Sequence, residues 1–177
     1  QKDDQIAIKF TANVPDTLRA VQFHFPHMIG NVANQEFHLK VWIGQLDNQP
    51  DFRMNLLRPF YASSAFDTLQ GFTTYPLLDA QGDFKPLALP AGDFYVGWEQ
   101  ASNCTFTNCI PVGYDKNTPE GLDYLHFNKN STTWVPFPAN FPAGALMVRP
   151  VVGSQTPGFT ATDEALLPDT ALRLFPN

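Results

Sequence analysis

Apolar and polar positions alternate with a period of two along much of this chain. In IAIKF (6–10) the residues Ile6, Ile8 and Phe10 fall on one side of an extended strand, and in RAVQFHF (19–25) Val21, Phe23 and Phe25 do the same. EFHLKVWIG (36–44) repeats the pattern, with Phe37, Leu39, Val41 and Ile43 facing inward and His38, Lys40 and Trp42 on the other face. DFYVGWEQ (93–100) places Phe94, Val96 and Trp98 on a core side, opposite Tyr95, Gly97 and Glu99. Further strands are predicted over 55–62, 71–77, 85–89, 123–128, 132–137 and 145–153, while 46–52 is a loop rich in turn formers. About ten short strands without a helical period predict an all-β fold, an antiparallel two-sheet sandwich of jelly-roll-like type.

Composition supports that reading. Among 177 residues there are 16 Phe and 16 Pro, and only 16% are charged, a mixture suited to pleated surfaces interrupted by proline-bearing loops. A formal charge of -6 with scattered basic residues argues against a nucleic-acid partner. Membrane insertion is not expected either, since no apolar run approaches the roughly 18 residues of a spanning helix. Residues 1–153 read as one β-sandwich module. The polar segment SQTPGFTATDEALLPDT (154–170) reads as a linker, and the chain turns apolar again at ALRLFPN (171–177). A first residue Gln rather than Met suggests a piece of a longer precursor.

The candidate chemistry is sparse. No G-x-S-x-G elbow, H-E-x-x-H, phosphate-cradling loop or G-x-G-x-x-G is present, so neither a cofactor nor a catalytic metal is expected, and the expected class is non-catalytic. The alternative is a carbohydrate-active hydrolase using paired carboxylates, for which Glu36, Glu99 and Glu120 are available. Tyr95 and Glu99 form a candidate sugar-binding pair, because an aromatic face stacks on a pyranose ring while a carboxylate accepts from its hydroxyls. Trp42 and Trp134 are each either a binding platform or packed under a loop. Tyr114, Asp115 and Asn117 in YDKN could bind a polyol, and the same residues are a good turn signal. His24, His27 and His38 could be imagined as a zinc set, but positions 24 and 27 of a strand point to opposite faces. Asp47, Asn48 and Asp51 offer oxygen ligands for calcium or an ordinary turn.

Cys104 and Cys109 are the only cysteines, with four residues between them. That spacing fits neither a four-cysteine zinc site nor the redox C-x2-C motif. A disulfide is the leading expectation in an oxidising compartment, beside two free thiols or a mixed metal site with His126.

The closing residues Leu172 to Asn177, LRLFPN, resemble the opening of the C-terminal sorting domain of proteins that Bacteroidetes export through the type IX secretion system. DTLRAVQFHFPHMIGNVANQEFHLKVWIG, LQGFTTYPL, LPAGDFYVGWEQ, VGYDKN and GALMVRPVVG together resemble a β-sandwich module that precedes that sorting domain, a likeness covering most of residues 5 to 153. The resemblance implies a non-catalytic accessory domain of a secreted or cell-surface protein, a spacer or a binding module for a glycan or a neighbouring domain of the same precursor. It also implies that 154–177 leads into a truncated sorting segment, whose missing remainder would engage the secretion machinery. The cysteine pair departs from the family's usual pattern, which makes the loop from Ser102 to Ile110 particular to this chain. In such an exported protein Thr17, Thr68 and Thr170 would be candidate O-glycosylation points, each standing in an Asp-Thr-apolar triplet.

Overall fold

The structure is a computed structural model, described here for residues 2–26, 31–60, 71–105, 109–118, 121, 124–129, 132–138 and 140–153. These residues form β1 (Gln5–Ala12), β2 (Asp16–His24), β3 (Phe37–Ile43), β4 (Phe52–Leu57), β5 (Phe72–Pro76), β6 (Leu87–Leu89), β7 (Gly92–Gln100), β8 (Tyr114–Asp115), β9 (Leu125–Asn128), β10 (Trp134–Pro136), β11 (Ala145–Leu146) and β12 (Val148–Val152). Every pairing is antiparallel. A six-stranded sheet runs β10-β9-β1-β7-β3-β4, and a four-stranded sheet has β2 at its centre, with β12 on one edge and β5 and β6 on the other. The chain passes from one sheet to the other between β1 and β2, β2 and β3, β4 and β5, and β6 and β7, so it is an all-β sandwich.

The core lies between the sheets and uses the alternation. Val21, Phe23 and Phe25 from the β2 region meet Phe37, Leu39 and Val41 of β3 and Phe94, Val96 and Trp98 of β7, all of them buried. Phe23 is the hub: its ring centroid lies 5.7 Å from those of Phe25 and Phe37, 5.9 Å from Tyr75 and 6.0 Å from Trp98. The Phe25 contact is stacked and the other three are edge-to-face, and such contacts add to the burial of the rings. Burial pushes the Tyr75 hydroxyl well above the ordinary tyrosine range, and the group stays useful by donating to the Arg58 carbonyl at 2.7 Å while accepting from the Phe60 N–H.

Two features differ from the sequence expectation. β4 begins at Phe52 rather than at residue 55 and ends at Leu57, because Asp51 accepts the Ile43 N–H and closes the preceding loop early. Tyr114 and Asp115, expected as part of a turn or a polyol site rather than as a strand, form β8 and pair with Ala145 and Leu146 of β11. This small ribbon continues the four-stranded sheet, since Gly113 donates to His24 and accepts from Met147. The segment 154–177, with its expected linker and sorting residues, lies outside the described residues, as do His27, Thr68, Glu120 and Thr170. Among the described residues no helix is long and apolar enough to cross a membrane.

Candidate functional site

The face of the six-stranded sheet turned away from the core gathers the polar positions of β1, β7 and β3. Their register sets out three rows across the sheet: Gln5, Glu99 and His38; Ala7, Gly97 and Lys40; Lys9, Tyr95 and Trp42. In a one-sided sheet such a face is solvated. Here it is covered: Lys40 is 5% exposed, Gln5 5%, Glu99 7% and Trp42 1%. The expectation that Tyr95 and Glu99 together offer a sugar site is therefore corrected at Glu99, whose carboxylate is buried against Lys40 and Arg53, and so is the platform reading of Trp42. The indole of Trp134, at the start of β10, stands edge-on to Trp42 with centroids 5.2 Å apart, and its N–H donates to the Asp47 carbonyl in the β3–β4 loop at 2.9 Å. That contact draws the loop and β10 together over the sheet.

The polar groups beneath are paired with one another. Lys40 Nζ donates to Glu99 Oε2 and, at 2.8 Å, to Gln5 Oε1. Gln5 lies on the far side of β7 from Lys40, so the lysine chain has to cross that strand where Gly97 sits. A Cβ at Gly97 would stand 2.2 Å from the Ile6 carbonyl oxygen, a close approach that only glycine allows. The other carboxylate oxygen, Glu99 Oε1, is 3.5 Å from Arg53 Nη2 and 3.8 Å from His38 Nε2. His38 Nδ1 accepts the Leu56 N–H, which leaves the ring proton on Nε2, directed at Glu99. Burial, followed by the Arg53 charge, holds the His38 pKa below the usual histidine value against the opposing pull of Glu99. Asn128, opposite Gln5 on β9, is 1% exposed, and its Oδ1 has no hydrogen-bond partner.

In the third row Lys9 reaches solvent while Trp42 stays buried. Lys9 and Asp93 pair at 2.7 Å and Asp93 also accepts from the Thr11 hydroxyl, so the hydrogen bonds lower the carboxyl and raise the ammonium. Tyr95 is half-buried, edge-on to His126 at 5.6 Å. Burial lowers the His126 pKa.

The second candidate group is elsewhere. Tyr114 donates to the Pro142 carbonyl, and Asp115 accepts from the Asn117 N–H at 2.8 Å and from the Thr118 hydroxyl, which makes it the anchor of its own turn. Asn117 is exposed at that turn. Tyr114, Asp115 and Asn117 thus belong to the β8 ribbon and its turn, and Tyr95 and Glu99 to the six-stranded sheet. Asp47 and Asp51 are engaged in the same way, with the Gln49 and Ile43 N–H groups, and His24 Nδ1 donates to the Gly71 carbonyl. Among the described residues no group of three or more His, Cys, Asp or Glu is placed to hold a metal ion. Cys104 and Cys109 form a disulfide with Cα atoms 4.7 Å apart, just beyond the end of β7. Comparisons with protein-family models, with curated proteins and with solved structures find no match.

Chemically, among the described residues Glu99 is the candidate glutamate held in a water-poor setting, and its oxygens are occupied by an ammonium and a guanidinium. Glu36, by contrast, sits near the surface against Arg58 at 3.3 Å. Sequence reasoning picked out Glu99 and Tyr95 but missed Gln5, Lys40 and Asn128 as buried partners. One signal was available: a glycine inside a strand, Gly97, marks a close approach of something to the backbone.

Proposed function

We propose that this chain is a non-catalytic accessory module of a secreted or cell-surface protein, serving as a rigid spacer next to its export segment. The observation that carries the reading is the burial of the six-stranded sheet on its inner face and over the Gln5, Lys40, Glu99 and Trp42 part of its outer face. One face packs on the other sheet, and the other holds an internally paired polar cluster beside the Trp42 and Trp134 indoles. A stiff, self-contained sheet suits a domain that holds its neighbours apart or helps them fold. The short-loop disulfide fits an oxidising, extracellular setting. The likeness of LRLFPN to the start of a type IX sorting domain supplies the route of export.

The test is a glycan array and a panel of chromogenic glycosides applied to the whole chain and to Tyr95→Ala. The spacer reading expects neither retention nor turnover. Glycan retention lost in Tyr95→Ala would replace it with a carbohydrate-binding module, and turnover lost in Glu99→Gln would replace it with a hydrolase.

A further inference from the structure

Lys40, Glu99 and Gln5 bring an amine, a proton carrier and a primary amide into contact in a place closed to bulk water. Lys40 Nζ is 2.8 Å from Gln5 Oε1, so the amide carbon is the next atom along, and attack requires the amine to turn from the oxygen to that carbon at about 3–3.5 Å. The carboxylate of Glu99 contacts the same Nζ. Arg53 and His38 sit at its other oxygen, which keeps Oε2 turned toward the lysine. We propose that Lys40 and Gln5 become joined by an intramolecular amide bond that the folded chain makes for itself, with Glu99 as the general base and ammonia as the other product.

The step balances without an added reagent. Glu99 takes one proton from the Lys40 ammonium, and the neutral amine adds to Cδ of Gln5. The new C–N bond forms as electrons move onto Oε1. The nitrogen from Lys40 then gives up a second proton, passed through Glu99 to Nε2 of Gln5. When the carbonyl re-forms, the bond from Cδ to Nε2 breaks and ammonia leaves. It carries off the first proton as ammonium, and Glu99 is again a carboxylate. Gln5 is the acyl partner rather than Glu99, because an amine attacking a carboxylate has no comparable leaving group. Burial of all three side chains keeps water from competing for the same carbon. The unpartnered Oδ1 of Asn128, across from Gln5, is an acceptor of the kind that a rearranging amide N–H can use.

The topology gives the bond a consequence. It would tie β1 to β3 across β7, linking residues 35 apart in sequence through three adjacent strands of the sheet. Such a cross-link restricts the unfolded chain as a disulfide does, and it survives reduction.

Intact-mass and peptide mass spectrometry of the whole chain, produced with additional residues ahead of Gln1, decides the matter. The expected result is a mass short of the sequence value by one ammonia, beyond the two hydrogens of the disulfide, with a branched peptide joining the segments that contain Gln5 and Lys40. Separate linear peptides for those two segments would overturn the proposal, as would an ammonia loss located at another residue. A loss of water located at Lys40 and Glu99 would overturn the choice of Gln5. In Glu99→Gln the branched peptide should fall at least tenfold, and its formation at the wild-type level would overturn the role of Glu99. The wild-type spectrum decides the bond itself even if that variant does not fold.

Discussion

The two faces of the six-stranded sheet are made by the same strands, β1, β7 and β3, and both bury side chains, the inner face throughout and the outer face around Gln5, Lys40 and Glu99, by different chemistry. The inner face is filled by Val41, Val96, Trp98 and their neighbours, which need only shape and volume. The outer face is filled by Gln5, Lys40 and Glu99, which are tolerable in a water-poor setting only because each is paired. An apolar layer therefore loses stability in proportion to what is removed from it. A paired polar layer loses most when one partner goes and the other stays.

That contrast can be broken by substitution, beginning with the largest effects. Phe23→Ala, at the ring hub of the inner face, should cost about 3–5 kcal/mol, and no second change nearby should recover it. Glu99→Ala should cost a similar amount, about 3–5 kcal/mol, because it leaves the Lys40 ammonium buried beside a lost charge. Pairing it with Lys40→Met should restore the part of that loss due to the stranded ammonium but not the part due to the missing Lys40–Gln5 bond, and urea unfolding of the two single variants and the double variant measures the recovery. If the double variant were as unstable as the sum of the singles, the outer layer would depend on shape rather than on pairing.

Smaller effects sharpen the picture. Gly97→Ala should destabilise by about 1–3 kcal/mol, since its methyl group would press on the β1 backbone. Reducing the disulfide should cost about 2 kcal/mol on the chain-entropy account of so short a loop, seen as a lowered melting temperature with little change in the spectrum of the folded state. The smallest effect is a pH dependence. His38 and His126 are both held below the ordinary histidine value of 6.5, so in that region the unfolded chain binds more protons than the folded one. Their contribution is complete above that value and is lost as pH falls through it toward the depressed folded values. Melting scans from neutral to mildly acidic pH should show the decline, and His38→Gln should flatten part of it.

The inner face was legible in the sequence because burial of Val21, Phe23, Phe37, Leu39, Val96 and Trp98 follows directly from a period of two. The strand order was not, because β1 lies between β7 and β9 and nothing local in Gln5–Ala12 names partners some ninety residues or more away. The outer face was misread for a related reason. A lysine, a glutamate and a tryptophan at alternate positions look solvated unless one knows that Trp134 and the loop around Asp47 close over them. β8 was overlooked because Asp115 does serve as a turn anchor, and only the distant Ala145 and Leu146 make its strand. The cysteine pair could be read because a five-residue separation keeps both ends of the bond local.

The central claim is that the Gln5, Lys40 and Glu99 cluster on the outer face of the six-stranded sheet is buried and internally paired. Amine-reactive footprinting of the native chain, read residue by residue by mass spectrometry, tests it most directly. Lys2, Lys85 and Lys116 are exposed and should be acylated readily, while Lys40 remains unmodified in the native chain and also in Gln5→Met, where no amide bond to residue 5 can form. Acylation of Lys40 in the native chain at the rate of those three lysines would contradict the account.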